Sequence, residues 1–291
     1  MAGTSRVLSR LMFWRRNRPV VPVVRLAGVI ASSGGLRRGL SLEAVEPQLK
    51  KAFSFRNAKA VALIINSPGG SPVQSSLIGQ RIRQLAQKAN VPVLAFCEDV
   101  AASGGYWLAA AADEIYANQA SIIGSIGVVS AGFGFDRAIE RIGIDRRVYT
   151  AGDNKMILDP FKPESEGDVN RLKSLQQDIH KQFIEYVVDR RGGKLTGDHD
   201  DLFSGAFWTG AKALELGLID GFGDVRGVMR ERYGENVKFR VHGPREGLLS
   251  RLGLRPKGLM SASEGEDLAA GWAESLLAGI EARAMWNRFG L

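Results

Sequence analysis

With 291 residues, 45% of them hydrophobic and 24% charged, the chain can bury a full core and reads as one globular domain with or without extensions. Its formal charge of +8 is unevenly placed, and the body of the chain shows no basic stripe or aromatic platform, so nucleic acid is not an expected partner. The single cysteine, Cys97, excludes an internal disulfide framework and a cysteine–histidine zinc site.

The first eighteen residues, MAGTSRVLSRLMFWRRNR, carry five arginines and no acid. With Leu8, Leu11, Met12, Phe13 and Trp14 as apolar contacts, this leader suits peripheral contact with an anionic membrane. A basic leader without structure accounts for it equally well, and residues 1–19 are set apart from the domain on either reading. No window holds the roughly 18 apolar residues of a membrane span. The best candidate, PVVPVVRLAGVIA, is broken by Pro22 and Arg25 and reads as a strand. No signal-peptide core is present, so the expected location is the cytoplasm, with any membrane contact peripheral.

From residue 20 the chain alternates. VPVVRLAGVI (21–30), AVALIIN (60–66), VPVLAFC (91–97), EIYAN (114–118) and RVYTA (147–151) read as strands rich in β-branched residues. Between them LEAVEPQLKKAF, PVQSSLIGQRIRQLAQKA and FDRAIERIG space their apolar residues as amphipathic helices do. That succession predicts βαβ units and a largely parallel sheet. A long helix is predicted over 164–190, with Leu172, Leu175, Ile179, Phe183, Tyr186 and Val187 on one face, and shorter helices over 209–217 and 224–233. Past Pro244 the glycine, serine and charge content reads as a linker. The final stretch, with Trp272, Leu276, Ile280 and Ala284 at helical spacing, reads as a helix that docks on its own core or on a neighbouring subunit. The expected layout is a leader over 1–19, a catalytic domain over 20–243 and a C-terminal extension over 244–291.

Two glycine-rich turns share one logic. LIINSPGGSP and CEDVAASGGYW each leave an apolar strand and enter a helix, which sets backbone N–H groups where negative charge is favoured. Two such turns at one edge of a parallel sheet would make an oxyanion hole, with Ser103 in the second as a candidate nucleophile; the other reading is two ordinary βα turns, where glycine is common. No phosphate-binding signature is spelled. The usual activator of a serine is missing from the first half: the three histidines, His180, His199 and His242, all lie in the second. Glu98 and Asp99 lie only four or five residues before Ser103 but in an extended segment, and Asp113 and Glu114 are ten or more residues on. A neutral lysine is the other base a serine accepts. Lys155, followed by Met156, Ile157 and Leu158, fits better than most, with Lys162 next.

NSPGG after one strand, AASGGYWLA after the next, GSIGV at 124–128 and the Gly152–Lys155–Pro160–Phe161 pattern together resemble the signal peptide peptidase A, or protease IV, family of serine peptidases. FSGAFWTGAKALELGLIDGFGD (203–224) is similar to that family's downstream signature, and the likeness covers about residues 22 to 230. It implies an α/β fold of the Clp protease/crotonase type, with repeated ββα and βαβ units and here a helical C-terminal extension. It also implies a serine–lysine dyad: Ser103 as nucleophile, Lys155 as base, Ser125 holding that lysine, and oxyanion donors from Gly104 and from Gly69 or Gly70. Substrates would be short or unfolded peptides such as signal-peptide remnants, cleaved through an acyl-enzyme without metal or other cofactor. Relatives assemble as homo-oligomeric rings, in a short form or with the unit fused in two copies; this chain has one copy. A membrane anchor common in the family is replaced here by the arginine-rich leader. The rival readings are a crotonase-type acyl-CoA hydratase or isomerase, which would need glutamates at the glycine turns, and a non-catalytic peptide- or membrane-binding scaffold.

Overall fold

In the computed structural model, which describes residues 18–32, 39–152, 154–242, 279–280 and 282–291, the three apolar runs of the first hundred residues form adjacent parallel strands. These are β1 (Val20–Ala27), β2 (Val61–Ser67) and β3 (Val93–Ala102). Strands buried on both faces read as continuous apolar runs, and Val61–Ile65 is of that kind. β3 is long enough to divide the sheet. Its first half pairs with β4 (Glu114–Ala117), and its second half, Val100–Ala102, pairs with β5 (Ile122–Gly124). β6 (Phe207–Thr209) closes one edge antiparallel to β5, β7 (Gly221–Phe222) lies beside β4, and β8 (Lys238–His242) lies parallel to β1 at the other edge.

The helices form where periodicity and caps agree. Ser41 accepts a hydrogen bond from Ala44 N at the start of α1 (Leu42–Phe53). Ser71 does the same for Gln74 N ahead of α2 (Pro72–Ala89), whose first residue is proline and whose end is a left-handed Asn90. α1, α2, α3 (Gly104–Ala110) and the long helix that follows bury Leu49, Ile78, Ile82, Tyr106 and Phe183 against one face of the sheet. Each such side chain contributes about 1.5–3 kcal/mol of transfer free energy. The opposite face carries Val21, Val23, Leu94 and Phe96 under Val228 and Met229.

α4 (Asp136–Arg141) differs in kind: none of its residues is buried. It lies in an arm, residues 129–161, that exposes Val129, Phe133, Ile142, Ile144 and Tyr149, the last at 90%. The strand predicted over 147–151 does not form; these residues have no sheet partner, because the arm stands away from every strand edge. α5 (Glu166–Arg191) matches its prediction, but only Phe183, Val187 and Arg191 are buried, and Leu175 stays half exposed. α6 (His199–Leu202), α7 (Gly210–Glu215) and α8 (Val225–Tyr233) complete the domain.

Arg191, 2% exposed, donates to Gly217 O at 3.2 and 2.6 Å and to Asp220 at 2.6 Å. Burial works to raise the Asp220 carboxyl, but hydrogen bonds from Arg191, Lys194 and Ile115 N outweigh it and hold the group below the usual carboxylate range.

Residues 279–280 and 282–287 are helical. Trp286 and Phe289 pack on Val100, Ala102 and Ile122, and the Phe289 ring meets Phe207 edge-on at 5.1 Å. Of the predicted stripe, Ile280 and Ala284 are exposed, and Trp272, Leu276, the linker and residues 1–17 lie outside the described residues. Among the described residues no helix is long and apolar enough to cross a membrane.

Candidate active site

The site is built at the division of β3. Between Ile65↔Cys97 and Ser67↔Ala101, β3 spends two more residues than β2. Asn66 fills the irregularity, donating to Asp99 at 2.7 Å and accepting from Val100 N at 3.2 Å. Glu98 is held by Arg25 at 2.5 and 2.8 Å. Both acids nearest Ser103 in sequence are therefore committed elsewhere. Asp113 is likewise tied to Arg83, at 2.7 Å, and to Val93 N, at 2.9 Å.

Ser103 follows directly, with φ 52° and ψ −124°. A non-glycine residue in such a region costs on the order of 1–3 kcal/mol, which the surroundings must enforce. They do: Ser103 N donates to Gly124 O at 2.8 Å, and Ser103 O accepts from Trp107 N at 3.0 Å. Ser103 stands at the N-cap of α3, where serine hydroxyls normally bond the helix backbone. This one makes no capping bond. Its Oγ is free.

The NSPGG turn lies against it. A Cβ on Gly69 (φ 103°) would come within 2.8 Å of both Gly104 N and Ser103 Cβ, and a Cβ on Gly70 (φ 139°) would meet Ile30 O at 2.0 Å. Only glycine permits this approach. Gly69 N is engaged by Ser67 Oγ at 3.2 Å, whereas Gly70 N and Gly104 N have no acceptor among the described residues. Ser103, Gly70 and Gly104 together border a cavity of about 220 Å³ whose walls include Trp107, Val128, Val129, Ile179 and Phe183. Gly69 backs the turn without bordering the cavity.

A second, more polar cavity of about 280 Å³ also opens on Ser103 and is bordered by Ser125, Ser204 and His180. Ser125 shares the positive φ, 54°, and donates its N–H to Ala206 O at 2.6 Å. Its hydroxyl has no hydrogen bond among the described residues. His180 was not singled out by the sequence, yet its Nε2 lies 3.0 Å from Ile126 O. A carbonyl only accepts, so that nitrogen carries the hydrogen. The signal was its place on α5 between Ile179 and Phe183, both of which line the apolar cavity.

Lys155 is not brought to Ser103 within the chain. It is exposed, sits in a turn closed by its own N–H to Gly152 O at 3.2 Å, and borders neither cavity. Its arm is nonetheless organised. Phe135 N donates to Pro160 O, Arg146 pairs with Asp159, the rings of Phe133, Phe135 and Phe161 follow one another at 6.2 and 5.7 Å, and Leu158 N reaches Asp168 at the base of α5. Cys97 offers no alternative nucleophile, since burial pushes its thiol up to about 12. Among the described residues no cluster of histidine, cysteine and acids could hold a metal ion.

Residues 85–236 match peptidase family S49. The chain belongs to that family. S49 members are serine peptidases, and the parallel-rich α/β sheet is of the Clp protease/crotonase type expected of them. A Synechocystis protein named as a protease is 32% identical over 212 residues, 72% of each chain. A protein of Enterococcus faecium named as a signal peptide peptidase is 30% identical over 207 residues, 69% of this chain and 60% of that one. A Brucella abortus protein is 54% identical over 282 residues, 95% of this chain, and carries the name of a Na(+)/H(+) antiporter. The S49 chain spans only 38% of that protein's length, and the same share of its Brucella melitensis counterpart.

Proposed function

We propose that the chain is a serine endopeptidase acting on short or unfolded peptides, signal-peptide remnants among them, with Ser103 as nucleophile. The observation that carries the reading is the strained Ser103, whose hydroxyl makes no capping bond, beside two N–H groups that find no acceptor among the described residues. Oγ attacks a peptide carbonyl, and the oxyanion meets Gly70 N–H and Gly104 N–H. The departing amine takes the proton Ser103 gave up, and water then releases the acyl group.

Lys155 is the proposed carrier of that proton, and its exposed position on an apolar arm supports its delivery to a neighbouring copy's cavity. A ring of copies would cover Val129, Phe133, Ile142 and Tyr149, which the single chain leaves in water. It would also withdraw Lys155 from water, as a neutral lysine base needs. Ser125, whose hydroxyl has no hydrogen bond among the described residues, is the proposed acceptor for a hydrogen bond from the Lys155 amine. The basic leader is the proposed point of contact with an anionic membrane. The antiporter name of the Brucella proteins fits the part of them that this chain does not cover, since no described helix could cross a membrane.

Hydrolysis of a fluorogenic peptide is the test. Activity in the wild type and its loss in Ser103→Ala support the proposal; turnover of an enoyl-CoA thioester without peptide cleavage would favour the crotonase reading instead.

A further inference from the structure

Both cavities that open on Ser103 are bordered by one fixed positive charge, Arg288. No aspartate or glutamate among the described residues lines either of them. Arg288 itself forms no ion pair among the described residues and only rests over the Phe289 ring at 5.8 Å. Its position is not accidental to a loose end. Trp286 and Phe289 on either side of it are packed on Val100, Ala102 and Ile122, and Phe289 is 8% exposed, so the guanidinium is carried on an anchored turn. Met285 from the same turn lines the apolar cavity.

We propose that Arg288 is a specificity residue that binds a carboxylate of the peptide lying across Ser103. The inference rests on the peptidase reading for the identity of that ligand. A guanidinium presents a planar fork of donors that matches a carboxylate two bonds at a time. Among the described residues no acid lines this cleft to compete for the guanidinium. The carboxylate is the peptide's C-terminal one or that of an internal acidic residue; a short peptide, such as a degradation remnant, always has the first.

The test uses hydrophobic peptides in three forms: free C-terminal acid, C-terminal amide, and amide with one glutamate placed at successive positions. Binding is measured to full-length Ser103→Ala, which needs no turnover, and kcat/KM to the wild type. The expected result is a preference of about tenfold for one carboxylate form over the plain amide, falling to near parity when Arg288→Gln is added and partly kept by Arg288→Lys. Preference for the free acid identifies the terminal carboxylate, and preference for the glutamate peptides an internal one. Equal binding of all three forms, or an unchanged ratio in Arg288→Gln with an unchanged melting curve, overturns the proposal. A carboxylate preference in binding without any wild-type hydrolysis would sustain the subsite and sink the peptidase reading.

Discussion

Gly69→Ala separates the positioning of the nucleophile from the stability of the fold. The new methyl would lie 2.8 Å from Gly104 N and 2.8 Å from Ser103 Cβ, closer than carbon atoms approach one another, and the atoms it meets are the nucleophile's own turn. Neither is the free end of a flexible side chain, so the turn must move. Displacing Gly104 N–H from the oxyanion position should cost about as much as deleting a donor, roughly 2.7–4 kcal/mol of barrier or 10²–10³-fold in kcat. The positive φ of 103° adds on the order of 1–3 kcal/mol of strain to the folded state. Gly234→Ala is the control: its φ is 86°, and nothing lies within 4 Å of the added Cβ. Thermal melts and peptide hydrolysis are measured for both. Both should melt lower, and only Gly69→Ala should lose activity. A Gly69→Ala enzyme within threefold of wild-type kcat would refute the placement of the oxyanion hole.

If the arm delivers Lys155 to a neighbour, Ser103→Ala and Lys155→Ala should each be inactive, and re-assembly of the two as a mixture should restore a fraction of peptide hydrolysis; no recovery in mixed rings would mean the base comes from the same chain. Tyr149→Glu, at a side chain 90% exposed, should shift the assembly toward monomer by sedimentation, with hydrolysis falling in parallel. Asp220 should govern part of the acid limb of stability. A carboxyl held below its usual value stabilises the fold fully above its unfolded pKa near 3.9 and stops doing so as pH falls through the lower folded value. Asp220→Asn should therefore flatten denaturation profiles below about pH 4 while costing about 3 kcal/mol at neutral pH, because Arg191 is left buried without its partner. Removal of residues 1–17 should abolish co-sedimentation with anionic vesicles and leave hydrolysis of a soluble peptide unchanged.

The parts legible in the sequence are those set by local rules. α1 and α2 follow from helical spacing, and the two glycine turns are spelled out in NSPGG and ASGGYW. The apolar run of β3 ends at Cys97 in the sequence; contacts of Glu98 with Arg25 and of Asp99 with Asn66 carry the strand on to Ala102. The β-branched content of RVYTA predicts a strand, but such a run makes a strand only where an edge is available. β5, β6 and β7 are two or three residues long, too short for periodicity to register. His180 and Arg288 reach the cleft through packing of α5 and of the C-terminal turn; the apolar Ile179 and Phe183 near His180 point to the first, and nothing next to Arg288 in sequence announces the second. The sequence points to Lys155 as the base, and the fold of one copy leaves it in solvent.

The central claim is that Ser103 attacks the substrate carbonyl, and a fluorophosphonate tests it most directly, with the site of attachment read by peptide mass spectrometry alongside peptide hydrolysis. A single adduct on Ser103, absent from Ser103→Ala together with hydrolysis, is the predicted result. An adduct on another residue, or undiminished hydrolysis by Ser103→Ala, would contradict it.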